Sequence, residues 1–94
     1  MYKDITYIEK MPGRAKCLIH LLNGDAKEIK LSLYQVKAKL GPSFLQTHKA
    51  CIINIANIKK IDYVNFTVYF NNDESTDLLT QITRRELRHR VGDY

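Results

Sequence analysis

Proline and glycine are scarce in this 94-residue chain (two and four residues), no low-complexity segment or internal repeat occurs, and nothing reads as a linker. A single ordered domain over residues 1–94 is expected, large enough for one core and too small for a second. Apolar runs are short: Ala50-Cys51-Ile52-Ile53 is about the longest, far below the ~20 residues that a membrane-spanning helix needs. The start, Met1-Tyr2-Lys3-Asp4, has neither the apolar stretch nor the cleavage site of a signal peptide, so a soluble cytoplasmic protein is expected. Only two cysteines are present, Cys17 and Cys51, each in an apolar, strand-like stretch with no second pair nearby. That spacing fits no zinc site, and buried free thiols in a reducing compartment are the reading.

Catalytic patterns are missing as well. His20, His48 and His89 are scattered, and no serine or carboxylate accompanies them at a telling spacing. There is no phosphate-cradling glycine-rich loop and no metal-ligand spacing. Neither an enzyme nor a cofactor is expected.

What the chain does have is positive charge and strand-like alternation. The net charge is +5 and the sequence pI about 9.3, a balance that favours polyanions without requiring them. Ile5, Tyr7 and Ile8 mark a first strand, and Met11-Pro12-Gly13-Arg14 a turn of type II chemistry. Cys17, Ile19 and Leu21 alternate up to the hairpin signal Asn23-Gly24, and Ile29, Leu31 and Leu33 alternate on the way back. These three strands form an antiparallel meander.

A short helix over about 32–40 follows, opened by the capping box Ser32-x-x-Gln35 and closed by a left-handed Gly41 before Pro42. Beyond the central apolar strand, Val64, Phe66, Val68 and Phe70 alternate with polar residues as a half-buried strand. Asn71-Asn72-Asp73 turns the chain, and a returning strand spans 76–81. A last helix over 84–91 has Thr83 and Glu86 as its capping box. Asn54 and Asn57 flank a turn and bond their own backbone.

Three cationic clusters stand out. Residues 83–91 carry four arginines against one glutamate, +3 of the total charge. With Thr83 as cap, Arg84 and Arg85 fall in the first turn, where cations oppose the helix dipole by ~0.3–1 kcal/mol each unless an anion docks there. Arg88 shares a face with Arg84. The plainer reading of this helix is a solvated face opposite Leu87 and Val91. Arg14 and Lys16 lie at the first turn, and Lys49 begins a strand; such residues also serve only as solubilising groups or edge guards. For His48, a backbone hydrogen bond that fixes a loop competes with contact to a phosphate. If the three clusters converge on one edge, they suit a duplex; if they lie on opposing sides, that reading fails.

The ordered set of motifs resembles the LytTR DNA-binding domain, the output module of many bacterial response regulators. That family's signature runs Phe-x-Arg-x-His-Lys/Arg-Ser, then apolar residues, Val-Asn and a later Ile. Phe44, His48, Lys49, Ile53-Asn54 and Ile58 match it in register, Ser32-Leu33 matches the preceding helix start, and Ile82-Thr83-Arg84-Arg85 the closing Val-Ser-Arg-Arg. Gln46 replaces the motif arginine and Ala50 the motif serine, which weakens or retunes binding. The turn holding Asn72-Asp73 often has glycine in the family, so its shape is open to change.

The resemblance implies a mostly β fold, elongated, of stacked antiparallel sheets with two short helices, that binds double-stranded DNA through loops entering successive major grooves. It implies direct repeats in promoters, regulation of transcription, a dimer on DNA as one arrangement, and in most relatives a phosphorylatable receiver domain upstream. No Asp here sits in a receiver-like context. DNA contacts carried over are Arg14, Lys16, Lys49, Thr83, Arg84 and Arg85, with His48 and Arg88 beside them. A small basic β module that binds protein or RNA is the alternative.

Overall fold

Local turn chemistry sets the first half of the fold. In the computed structural model, which describes residues 2–91, strands β1 (Ile5–Lys10) and β2 (Cys17–Leu21) are joined through Met11–Arg14. Gly13 there has φ 69°, and Arg14 N donates to Met11 O at 3.3 Å, the closure a proline–glycine turn provides. Strand β3 (Ala26–Ile29) returns after Asn23-Gly24, where Gly24 takes φ 90°, a value any side chain would strain. The alternation expected to run on through Leu31 and Leu33 stops at Ile29, because Leu33 already belongs to helix α1 (Leu33–Lys37).

The chain then crosses under this meander. Strand β4 (Phe44–His48) pairs with β5 (Cys51–Asn54), and β5 pairs with the free edge of β1, giving an antiparallel five-stranded sheet in the order β3-β2-β1-β5-β4. A second sheet, β6 (Ile58–Asp62), β7 (Thr67–Phe70) and β8 (Ser75–Thr76), stacks on it, and helix α2 (Gln81–Val91) closes the molecule. The molecule measures 35 × 27 × 23 Å.

Each face of the five-stranded sheet has its own core. Ile5, Ile8, Cys17 and Ile52 pack under Leu33 and Val36 of α1. On the other side Cys51 and Ile53 meet Ile58, Ile61, Val68 and Phe70 of the second sheet, with Leu79 and Leu87 completing the cluster. Alternation along β5 therefore fills both cores, and all four of its residues are buried. Asn54 and Asn57 act at longer range than their own turn. Asn54 Oδ1 accepts from Ala56 N at 3.1 Å, while both side-chain amides donate to Ile5 O, at 2.9 and 2.8 Å. Tyr7 stacks between His20 (4.0 Å) and Phe70 (5.3 Å), joining the sheets; burial first, then Glu9 and Glu74, pushes its hydroxyl up to about 12.

Four local expectations are corrected. Val64 and Phe66 do not belong to a strand: Asp62 Oδ1 accepts from Val64 N (2.9 Å) and Asn65 N (3.0 Å), which turns the chain there. Val64 is consequently 86% exposed and Phe66 sits at φ 52°. The strand expected over 76–81 shrinks to Ser75–Thr76, as Thr76 Oγ1 captures Leu78 N at 3.3 Å. Helix α1 has its Ser32–Gln35 capping box, but it does not reach 40 or end on a left-handed Gly41. It tightens instead through Lys39 N→Val36 O (2.9 Å) and Leu40 N→Lys37 O (3.2 Å), which satisfy its last carbonyls. Finally, α2 starts at Gln81 rather than Arg84.

Candidate nucleic-acid interface

The two basic hairpin ends are neighbours because of the β1–β5 pairing. Lys10 N, the last amide of β1, donates to Ala50 O at 2.8 Å, so the Met11–Lys16 turn and the Lys49 turn share one end of the sheet. Arg14 and Lys49 are exposed. Lys16 is half-buried and lies 3.7 Å from Glu28, which partly neutralises it. A cleft of about 370 Å³ between Lys10, Arg14, Lys16 and Ser32 opens at this end.

His48 does hold its loop: Nδ1 accepts from Ala50 N at 3.1 Å. In the neutral ring that acceptance puts the remaining proton on Nε2, leaving a donor on the far side. The pairing of β4 with β5 slips between Gln46 and His48, and Gln46 Nε2 donates to His48 O at 3.3 Å. The residue that replaces the motif arginine thus spends its amide on this irregularity, as bulges commonly re-aim the residues that follow them.

The third cluster attaches to the same strand end. Thr47 is fully buried, and its carbonyl accepts from Thr80 N (2.9 Å) and Thr83 Oγ1 (2.8 Å). Its hydroxyl donates to Leu78 O at 2.8 Å. These bonds choose the helix start. Thr80 is the cap, since Thr80 Oγ1 accepts from Thr83 N at 3.3 Å and Thr80 O from Arg84 N at 3.0 Å. The expected Thr83–Glu86 capping box is therefore not formed. Arg84 and Arg85 lie in the second turn, where the dipole penalty has largely faded, so their presence no longer requires an anion at the helix end. Lys37, Gln46, His48, Lys49, Thr80 and Thr83 together line a shallow depression of about 260 Å³.

Arg84 and Arg88 leave the helix on its other flank, toward the β6–β7 turn. The Arg84 guanidinium lies 3.6 Å from the centre of the Phe66 ring and that of Arg88 4.2 Å from Tyr63. Stacking of this kind contributes ~0.5–1 kcal/mol at exposed sites. Arg84 Nε is buried without a hydrogen-bond partner. With Gln81 and the exposed Arg85 these groups line a cleft of about 350 Å³. Arg90, near the helix end, donates to Pro42 O.

Sequence reasoning missed Lys10, Lys37, Tyr63 and Phe66 at these sites. Register alone places Lys10 beside Ala50, whereas Lys37 and the two rings arrive by tertiary packing. Both cysteines are buried and unpaired; burial pushes the Cys51 thiol up to about 11, against weaker opposing hydrogen bonds from Thr47 and Thr76. Among the described residues no group of three or more His, Cys, Asp or Glu is placed to hold a metal ion, and no helix is long and apolar enough to cross a membrane.

No curated protein matches the chain. Among solved structures, a Bacillus cereus chain named as the LytTr DNA-binding domain of a methyl-accepting/DNA response regulator superposes with a TM-score of 0.76. The match covers 97% of this chain and 84% of that one at 23% identity, a likeness of fold. The sequence itself fits the family described as the LytTr DNA-binding domain across residues 1–91. With the stacked sheets and the family pattern both running nearly end to end, this chain belongs to the LytTr DNA-binding domain family.

Proposed function

We propose that this domain binds double-stranded DNA sequence-specifically and regulates transcription as the output module of a response regulator. The observation that carries the reading is the hydrogen-bonded chain Lys10–Ala50 and Thr47–Thr80/Thr83, which gathers the β1–β2 turn, the β4–β5 turn and the start of α2 at one end of a rigid sheet. Arg14, Lys16, Lys49, Arg84, Arg85 and Arg88 supply the cations, and His48 Nε2 and Thr83 stand beside them.

Phosphate contacts from these groups position the domain, and the long exposed side chains of Arg14 and Lys49 reach base edges. The longest dimension of the domain, 35 Å, is about one turn of B-form duplex, the distance between adjacent major grooves on one face. Direct repeats then recruit two copies. A receiver domain upstream supplies the signal, and the whole acts in the cytoplasm.

The test is a binding titration on a duplex selected from a random pool, repeated over a salt series. DNA binding through phosphate neutralisation gives a log–log slope of about −0.9 per phosphate contacted. Lys49→Ala and Arg84→Ala each weaken binding by ~1–3 kcal/mol. A flat salt response identifies a protein-binding module instead, and unchanged affinity in both variants rejects the assignment of the site.

A further inference from the structure

We infer that the cleft between α2 and the β6–β7 turn is a clamp for one phosphate group of the DNA backbone, making the Tyr63–Phe66 turn a further element of the interface. The inference rests on the DNA-binding reading and assigns this part of the surface a role of its own. The cleft is lined by Tyr63, Phe66, Gln81, Arg84, Arg85 and Arg88, none of them a carboxylate. Arg84 and Arg85 take part in none of the ion pairs found among the described residues. A concave site that presents the guanidinium groups of Arg84 and Arg85 selects an anion, and the planar forks suit the oxygens of a phosphate.

The two rings give the cleft its chemistry. Phe66 and Tyr63 already carry the guanidinium planes of Arg84 and Arg88 on their faces, at 3.6 and 4.2 Å. One face of each ring is therefore taken by a guanidinium. The effect is to hold the forks in place before the ligand arrives, so less side-chain freedom is lost on binding. Phe66 maintains this position from φ 52°, a left-handed conformation uncommon for a bulky residue outside functional or tightly constrained turns. The Asp62 turn that imposes it, through Val64 N and Asn65 N, thereby places the ring under Arg84. Phe66 and Tyr63 are positioning residues; the contact to phosphate is made by the arginines.

A phosphate contact carries no sequence information, which separates this cleft from Lys49 and Arg14. Phe66→Leu keeps an apolar side chain and loses the ring face; it weakens binding roughly two- to fivefold, the equivalent of one cation–π contact. Arg84→Lys keeps the charge and loses the fork, and costs about tenfold. Both variants are checked for an unchanged melting midpoint, and both lose affinity equally for the selected duplex and a scrambled one.

The decisive measurement replaces single backbone phosphates of the selected duplex with neutral methylphosphonates. One position weakens the wild-type protein, and the same replacement costs Arg84→Lys and Phe66→Leu distinctly less. If every replacement costs all three proteins the same while the duplex is still bound, the clamp assignment is overturned and the DNA-binding reading stands. Absence of any salt-dependent duplex binding overturns both. Saturation of the Arg84 Nε–H resonance by sub-millimolar inorganic phosphate alone identifies a free-anion site and overturns the assignment to the backbone.

Discussion

Asn54 and Asn57 offer a test of how the fold is held together, because their side chains converge on one carbonyl. Asn54 is 1% exposed and makes three hydrogen bonds: Nδ2 to Ile5 O (2.9 Å), and Oδ1 from Ala56 N (3.1 Å) and Ser43 Oγ (3.0 Å). At a net ~1 kcal/mol per bond, Asn54→Ala costs about 2–3 kcal/mol. Asn57 donates to Lys3 O (2.7 Å) and Ile5 O (2.8 Å), so Asn57→Ala costs about 1–2 kcal/mol on the same scale. In either single variant Ile5 O keeps the other amide. In the double variant it loses both, and an unsatisfied buried carbonyl adds ~1–3 kcal/mol beyond the sum. Urea denaturation in sucrose, which keeps the weakest variant folded, measures all four proteins. Additivity within about 0.5 kcal/mol, the usual tolerance for independent sites, refutes the shared-acceptor argument.

Two further predictions concern a cap and a thiol. Ser32→Ala removes the acceptor of Gln35 N and half of the reciprocal capping box; it lowers stability by about 1 kcal/mol in the same denaturation assay. Cys51 has its folded-state thiol raised to about 11 from the usual 9.0. Stability from keeping it protonated is complete below pH 9 and is lost as pH rises toward 11, because the unfolded thiol ionises first. Ellman's reagent at pH 8 therefore leaves native Cys51 untouched and labels it on addition of denaturant; rapid labelling of the native protein contradicts its burial.

Elements whose cause is local were readable from the chain. Pro12-Gly13, Asn23-Gly24 and Ser32-x-x-Gln35 each specify backbone geometry within four residues, and each occurs where its chemistry puts it. The failures share a different cause. Thr80-Gln81-Ile82-Thr83 and Thr83-Arg84-Arg85-Glu86 are overlapping helix-start patterns, and the choice between them is made by Thr47 O, more than thirty residues away in sequence. Val64 and Phe66 satisfy strand alternation, yet Asp62 takes their stretch into a turn, a competition between side-chain and ladder hydrogen bonds that periodicity does not register. Asn54 and Asn57 look like turn residues by position, while their amides reach some fifty residues back to Ile5. The cations of the candidate site were visible in the sequence; the rings beneath Arg84 and Arg88 were not, because that contact requires the misread turn.

Thr47 ties the β4–β5 turn to α2 although the helix starts three residues earlier than expected. It precedes His48 and Lys49 directly, its carbonyl anchors Thr80 and Thr83, and its hydroxyl fixes the Leu78 segment. One buried residue therefore sets the position of the β4–β5 turn relative to α2, whichever residue caps the helix. Three bonds through one side chain and its carbonyl fix that relation in the free protein; on the proposed reading, little conformational freedom then remains to be lost when a duplex docks. Rigidity of this kind also limits what the domain can accept. On the proposed DNA-binding reading, a duplex whose groove spacing differs has to deform to meet the cations of the site, and sequence preference then arises partly at base pairs the protein never touches.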